Sequence, residues 1–198
     1  MRLHKPLILA SQSPRRQEIL TLAGFEFAVC PADAEWAPDG LSPFDRVREL
    51  ARSKAAEVAK KYPNSIILGS DTMVVLGEEA LGKPRDEQHA VDMLMSLQGH
   101  THEVMTGVWI IETDEGGNAV EQDGFTDVTT VDFWAFSEDE AREYVATKEP
   151  MDKAGAYAIQ GKGMQFVKGI CGDYYTVMGL PGGRLIRFLR SFVAGIEK

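Results

Sequence analysis

The residues best suited to chemistry lie just after the first apolar segment of the chain. Arg15 and Arg16 follow Ser13-Pro14, and the run 6–10 before them is apolar. Serine followed by proline is typical of a helix start, with the serine side chain as the cap and proline at the first helical position. Both arginines then fall in the first helical turn, where the helix dipole disfavours cations. A bound phosphate would reverse that cost and give each guanidinium a bidentate partner. The alternative is two solvated arginines on a surface helix. The strand and Ser-x-Ser turn before them favour the phosphate site.

Carboxylates that could hold a metal or activate water occur at two places. Asp71 follows the run 66–70, so we expect it at the carboxyl end of a buried strand. In open α/β sheets that is the edge where ligands bind, and an acid there can coordinate Mg²⁺ or activate water. An ordinary turn aspartate is the alternative. Glu35 is a second candidate carboxylate, although its local sequence carries little signal.

Two lysines could add positive charge to such a site. Lys54 falls on the apolar stripe of a helix predicted over 44–59. Its stem could pack while the ammonium reaches water, or the ammonium could point into a cleft towards phosphate. Lys83 precedes Pro84 on a constrained loop and is another candidate phosphate contact.

Two further patterns carry weaker signals. His100 and His102 would share one face of a strand, which is a spacing that a metal pair could use. No third ligand is evident, so hydrogen-bonded structural histidines are the favoured interpretation. Gly161-Lys162-Gly163 lacks the remainder of a P-loop.

Composition narrows the classes of function. The chain has 198 residues and a formal net charge of -9 at pH 7, which argues against nucleic acid or an anionic membrane as the partner. Its two cysteines, Cys30 and Cys171, stand far apart, as in proteins of reducing compartments. The apolar run 6–10 is too short for a signal peptide, and no apolar stretch approaches membrane-spanning length. We therefore expect a cytoplasmic protein.

The elements that must position these residues alternate between strands and helices. This alternation, with hairpins mixed in, predicts an α/β fold with a mixed sheet. The length fits one domain or two closely joined lobes. Strands are predicted over 7–10, 65–69, 73–76, 104–111, 125–136, 166–170 and 174–178, and helices from Ser13 to Gly24, over 44–59, 87–97 and 138–147, and after Gly183.

Eight short segments, in order over residues 7–181, resemble the Maf family of nucleotide pyrophosphatases. Any one of them alone would carry little information, whereas the ordered set is specific. They are Leu9-Ala10-Ser11-x-Ser13-Pro14-Arg15-Arg16, Glu35, Leu50-Ala51-x-x-Lys54-Ala55, Gly69-x-Asp71-Thr72, Gly82-Lys83-Pro84, Thr101-His102-x-Val104-x-Thr106, Asp152-Lys153-Ala154-Gly155-Ala156-Tyr157-x-Ile159-Gln160-Gly161 and Val177-x-Gly179-Leu180-Pro181.

The resemblance implies a fold and a reaction. The fold is a three-layer α/β/α arrangement with a mixed, elongated central sheet, similar to inosine triphosphate pyrophosphatases. One domain would span residues 1–198, with a cleft for the nucleotide, in a family whose members are often dimeric. The reaction is hydrolysis of a nucleoside triphosphate at the α–β phosphoanhydride, with Mg²⁺, Mn²⁺ or Co²⁺, to the nucleoside monophosphate and pyrophosphate.

The resemblance also implies roles by motif position. Asp71 would be the general base or its metal-bound equivalent, and Glu35 would assist with the metal. The phosphates would be bound by Ser13, Arg15, Arg16, Lys54 and Lys83.

One branch of the family is associated with dTTP and UTP, and another with 7-methyl-GTP. The segment 153–161 is similar to the first branch, in which Arg15, Thr72 and Gln160 fall at specificity positions. The chain departs from the usual pattern at Gln12, Ala158 and Gly182-Gly183. Two alternatives stay open: a pyrophosphatase for 7-methyl-GTP or other modified purines, and a non-catalytic nucleotide sensor that regulates cell division. Asp71 favours catalysis, because a sensor needs no group that activates water.

Overall fold

A computed structural model describes residues 3–196, with side chains described for residues 3–192. The chain forms two compact units. The first contains the described residues of Met1–Asp71, Thr106–Asp127 and Gly179–Lys198, and the second contains Thr72–Met105 and Val128–Met178. The ends of the predicted domain, residues 1, 2, 197 and 198, lie outside the described part of the chain.

Strands and helices follow one another in the predicted alternation. Three short 3₁₀ helices, Glu149–Asp152, Ala154–Ala156 and Lys162–Phe166, lie between the fourth α-helix and the last strand. In chain order the main elements are β1 (Leu7–Leu9), α1 (Pro14–Leu22), β2 (Phe27–Val29), α2 (Pro43–Ala59), β3 (Ile66–Leu76), β4 (Glu79–Leu81), α3 (Glu87–Leu97), β5 (Thr101–Thr113), β6 (Ala119–Phe133), α4 (Glu138–Ala146), β7 (Val167–Cys171), α5 (Tyr174–Met178) and α6 (Gly182–Ile196).

The strands form one mixed sheet, as predicted. Its seven strands run in the order β2-β1-β3-β5-β6-β7, and β4 pairs with β3. β1 is parallel to both β2 and β3, whereas the β3–β4 and β6–β7 pairs are antiparallel. With helices around this sheet, the three-layer α/β/α class is confirmed. Among the described residues no helix combines the length and apolar character needed to cross a bilayer.

The position of Asp71 corrects the sequence analysis. The segments 65–69 and 73–76 were expected to be separate strands, with Asp71 at the end of the first. They are instead one strand of 11 residues, β3, and Asp71 lies within it. Pairing with β1 reaches Leu68, and pairing with β4 begins at Val74. Because β3 also pairs with β5, the backbone stays extended between these two neighbours.

The predicted hairpin over 166–178 is wrong in its second half. Val167–Cys171 is a strand, but Tyr174–Met178 is a short helix. The Asp173 side chain accepts a hydrogen bond from the Tyr175 N–H at 2.9 Å, and the Asp173 carbonyl accepts one from the Thr176 N–H at 3.0 Å. Aromatic and β-branched residues favoured a strand, and this local capping overrides that preference.

In the first unit, α2 packs directly on the sheet. A Cβ atom added at Gly69 of β3 would lie 2.1 Å from the Ala51 carbonyl oxygen, and one at Gly107 of β5 would lie 2.4 Å from the Val47 carbonyl oxygen. Two glycines thus let the helix backbone approach the strands without intervening side chains. This contact sets the distance between α2 and the sheet, and with it the position of Lys54.

In the second unit, α3 and α4 cover a core that is rich in aromatic rings. Phe133, Tyr144, Tyr157 and Phe166 are all buried in it. α3 has the predicted bounds, Glu87–Leu97. α4 begins with a capping box, in which the Ser137 side chain and the Glu140 side chain bind each other's backbone N–H groups.

Candidate active site

An ion pair joins Asp71, the predicted general base, to Lys54, one of the two predicted site lysines. The Lys54 Nζ atom on α2 lies 2.5 Å from the Asp71 Oδ1 atom on β3. Their side chains are only 15% and 18% exposed, so both charges are largely withdrawn from water. Lys54 therefore does not direct its ammonium into bulk solvent. It holds the Asp71 carboxylate in a fixed orientation and adds a positive charge beside it.

Arg16 lies in the same unit and is tied to the strand that carries Asp71. Its Nε–H donates to the Gly179 carbonyl at 2.8 Å, and the Ser70 hydroxyl donates to the same carbonyl at 3.0 Å. An NH₂ group of Arg16 also donates to the Ser11 hydroxyl at 3.0 Å. Burial lowers the pKa of Arg16 below its ordinary value, while Asp71 raises it and Arg15 lowers it further. The start of α1 and the Asp71 carboxylate thus share one electrostatic environment.

The amino end of α1 fits the anion-binding hypothesis, although one detail of the prediction is wrong. Ser13 is the N-cap residue and Pro14 takes the first helical position, but the Ser13 side chain makes no cap hydrogen bond. The first turn also contains no acidic residue. Helix N–H groups that the N-cap side chain does not bind favour a negatively charged ligand at this end. Arg15 is partly exposed there.

A carboxylate of α2, Glu57, binds the loop that carries Glu35. The Glu57 Oε2 atom accepts hydrogen bonds from the Ala34 N–H at 2.8 Å and the Asp33 N–H at 3.1 Å. The Ala34 hydrogen bond is the main cause of a lowered pKa at Glu57. The Glu35 side chain itself is exposed. One helix therefore contacts Asp71 through Lys54 and, through Glu57, the backbone directly before Glu35.

Three predicted site residues belong to the second unit. Thr72 follows Asp71 on β3 and is partly exposed, while Lys83 and Gln160 are exposed. The Gly155 N–H donates to the Gly82 carbonyl at 3.1 Å, which joins the segment before Lys83 to the 3₁₀ turn Ala154–Ala156. The segment before Lys83 is thus tied within this unit to the turn that precedes Gln160.

The two histidines do not form a metal pair. The ring of His102 is buried, and its Nε2 atom lies 2.9 Å from the Tyr157 hydroxyl. Burial lowers the pKa of His102 to about 4, with Asp132 opposing the shift, so the ring is neutral at neutral pH. His100 is exposed. The structural interpretation of His102 is confirmed.

Sequence reasoning missed several residues that position others. Backbone groups near a predicted site residue are bound in three places, by the side chains of Ser70, Glu57 and Glu149. Glu57 could have been noticed, because it lies three residues after Lys54 and so falls on a neighbouring part of the helix surface. The partners of Ser70 and Glu149 are set by long-range folding, and no local pattern identifies them.

The fold and this arrangement of cations around Asp71 agree with the family that the motifs suggested. A family model described as Maf-like protein matches residues 6–192. The chain therefore belongs to the Maf family.

Close relatives carry one name. A protein of Lachnoclostridium phytofermentans is 46% identical over 193 residues, which cover 97% of this chain and 98% of the relative. Proteins of Bacillus velezensis (46% identical, 95% of this chain and 97% of the relative) and Bacillus cereus strain ATCC 10987 (48%, 95% and 90%) are equally similar. All three are named dTTP/UTP pyrophosphatase.

A solved structure supports the fold at low sequence identity. The Ham1 protein of Staphylococcus aureus superimposes with a TM-score of 0.51 at 15% identity, and the match covers 98% of this chain and 100% of that one. At this identity the likeness concerns the fold alone.

Proposed function

We propose that this protein hydrolyses dTTP and UTP to the nucleoside monophosphate and pyrophosphate. The observation that carries the proposal is the Asp71 carboxylate, held by Lys54 in the same electrostatic environment as the two arginines that begin α1. An acid surrounded by fixed cations suits attack of water on a phosphoanhydride. The name shared by relatives at 46–48% identity supports the choice of substrate.

In this proposal the phosphates are bound by cations and by the uncapped end of α1. Arg15 and Arg16, with Ser13 and the backbone N–H groups of the first turn, bind the β and γ phosphates, and Lys83 contributes another charge. Asp71 accepts the proton of the water that attacks the α phosphorus. Negative charge that develops on the leaving pyrophosphate is stabilised by these fixed cations, which need no rearrangement during the reaction.

The carboxylates of Asp71 and Glu35 would hold a divalent metal, Mg²⁺, Mn²⁺ or Co²⁺. Mg²⁺ typically binds through one or two carboxylates, and waters and substrate phosphates complete its shell. Within residues 3–192 no group of three or more His, Cys, Asp or Glu side chains is placed to hold an ion. Such an ion would offset the charge of the triphosphate.

Base selection is assigned to Arg15, Thr72 and Gln160. A glutamine side chain has both a donor and an acceptor, which matches the edge of uracil or thymine. Gln160 is exposed and so has room to meet a ligand.

A cytoplasmic location and a homodimer are part of the same proposal. Both cysteines are free thiols, as expected in a reducing compartment. Light scattering on the purified protein tests the dimer.

Pyrophosphate release from dTTP, UTP, CTP, GTP and 7-methyl-GTP, measured with Mg²⁺ and then with EDTA, tests the function. We expect dTTP and UTP to be turned over fastest and EDTA to stop turnover. Fastest turnover of 7-methyl-GTP would overturn the base assignment. Absence of pyrophosphate with every nucleotide would overturn catalysis and leave a nucleotide sensor.

A further inference from the structure

The segment Gly161-Lys162-Gly163 binds a carboxylate of the chain itself. The Lys162 N–H donates to the Glu149 Oε2 atom at 3.1 Å, and the Gly163 N–H donates to the Oε1 atom at 3.1 Å. Consecutive backbone N–H groups that converge on one anion form the kind of concavity that elsewhere binds phosphate. Here the anion is internal. The segment therefore serves the fold of the loop and is not a fragment of a P-loop.

Tyr144 extends this contact to the other end of the loop. Its hydroxyl donates to the Glu149 Oε1 atom at 2.9 Å and accepts a hydrogen bond from the Ala158 N–H at 3.1 Å. The tyrosine is 2% exposed, and burial raises the pKa of its hydroxyl, so the proton is retained. Glu149 thus fixes the backbone on both sides of Gln160, directly at 162–163 and through Tyr144 at Ala158.

Two glycines allow the loop to close tightly on this carboxylate. Gly161 has φ +115°, and a Cβ atom there would lie 2.9 Å from each Glu149 oxygen. A Cβ atom at Gly163 would lie 2.4 Å from the Ala158 carbonyl oxygen and 2.8 Å from the Tyr144 hydroxyl. Only glycine accommodates that backbone angle and those distances without displacing the carboxylate.

Glu149 stays ionised in this position. Burial raises its pKa, but the N–H groups of Lys162 and Gly163 and the Tyr144 hydroxyl lower it by more, so the net shift is downward. Hydrogen bonds to an ionised acceptor are stronger than those between neutral groups. The carboxylate is therefore a firm anchor for the loop at neutral pH.

We propose that Glu149 is a positioning residue for base discrimination: by anchoring Ala158 and Gly163 it fixes where the Gln160 amide can meet the base. This inference rests on the proposed function, in which Gln160 contacts the base. Glu149 itself acts on the loop and not on the nucleotide. Without it, the backbone of residues 158–163 samples several arrangements, and the Gln160 amide no longer selects one hydrogen-bonding pattern.

The test is the Glu149→Gln variant, with Glu143→Gln as the matched control on the exposed side of α4. The amide keeps the size of the side chain but presents a donor where a carboxylate oxygen accepted, so at least one of the three hydrogen bonds is lost. We expect the ratio of kcat/KM for dTTP to kcat/KM for CTP to fall about tenfold or more, comparable to losing one charge-assisted hydrogen bond. Hydrogen exchange at the Lys162 and Gly163 amides should accelerate. Glu143→Gln should leave the ratio and both exchange rates unchanged.

Tyr144→Phe is the second variant, and it removes only the hydroxyl. It removes the acceptor of the Ala158 N–H and one of the two donors to the Glu149 Oε1 atom, so the same ratio should fall by a smaller factor. This variant decides the matter if Glu149→Gln does not fold.

The outcomes separate this inference from the proposed function. A wild-type protein that does not prefer dTTP to CTP contradicts the proposed function, while hydrogen exchange still reports whether Glu149 anchors the loop. A wild-type preference that survives unchanged in folded Glu149→Gln and Tyr144→Phe overturns the inference and leaves the proposed function standing.

Discussion

The Nζ atom of Lys54 lies 2.5 Å from the Oδ1 atom of Asp71, in a place where neither side chain has much access to water. The contact joins the middle of a helix to the middle of a strand. Because glycines at 69 and 107 bring the helix backbone against the sheet, the contact depends on packing between regular elements and not on a loop.

Asp71→Asn should abolish turnover while nucleotide binding is largely retained. The amide has the same shape but cannot accept the proton of the attacking water, and loss of a general base typically lowers the rate by about 10²–10⁴-fold. Pyrophosphate release measures the rate, and calorimetric titration with dTTP measures binding. Asp92→Asn, at an exposed position of α3, is the control. A rate near that of the wild type would show that Asp71 is not the base.

Gly69→Ala should destabilise the protein and lower its activity. The added methyl group would meet the Ala51 carbonyl oxygen at 2.1 Å, so α2 must move away from β3 and take Lys54 with it. Overpacking of this kind typically costs about 1–3 kcal/mol in the free energy of unfolding. Urea denaturation measures the loss. In Gly169→Ala, on β7, the new atom meets nothing within 4 Å, so stability should be unchanged. Equal stability of the two variants would contradict this account of how α2 packs.

Glu57→Gln should raise the concentration of Mg²⁺ needed for half-maximal activity. The variant weakens the hydrogen bonds that fix the loop before Glu35, and changing a residue that orients a metal ligand typically lowers metal affinity by about 10–100-fold. Titration of activity with Mg²⁺ at saturating dTTP measures the effect. Glu49→Gln alters a carboxylate of the same helix that pairs with Arg52, and it should not change the titration. An unaltered Mg²⁺ requirement in Glu57→Gln would remove Glu35 from the metal site.

His102 should make the protein sensitive to acid. Its pKa is about 4 in the folded chain, against 6.5 for the free group. The unfolded state therefore takes up a proton first as the pH falls below about 6.5, and the free energy of unfolding declines until about pH 4. At neutral pH the lowered pKa of His102 contributes about 3 kcal/mol to the free energy of unfolding, and this contribution is lost as the pH falls. Urea denaturation at several pH values measures it.

The comparison variant for this effect is His102→Gln. Its side chain can still bind the Tyr157 hydroxyl but does not titrate. Over the same pH range its stability should decline less steeply than that of the wild type. Parallel slopes for the two proteins would contradict the buried, neutral histidine.

Local sequence patterns were sufficient to predict much of the fold. The helix predicted over 87–97 has the bounds of α3, and the Ser-Pro pair predicted the start of α1. The alternation of strands and helices along the chain predicted a mixed sheet, because such elements have few other ways to bury their apolar faces.

Pairing between distant segments was not available from the sequence. Gly69-Ser70-Asp71 resembles a turn by composition, and only the neighbours of β3 keep it extended. The same limit applies to the candidate site. Residue types identified Arg16, Lys54 and Asp71, but not that Lys54 would pair with Asp71, or that Gly179 would accept hydrogen bonds from both Arg16 and Ser70.

An acid carried inside a strand has a consequence for how the protein tolerates insertions. Successive side chains of a strand point to opposite faces, so one residue inserted between Leu68 and Asp71 would turn the carboxylate to the other face and away from Lys54. An insertion at the exposed turn Gly77-Glu78, beyond the last residues of β3, would leave that alternation intact. The face of the sheet on which the Asp71 carboxylate lies is thus set by the number of residues before it in β3. Lengthening the turn Gly77-Glu78 should not alter that face.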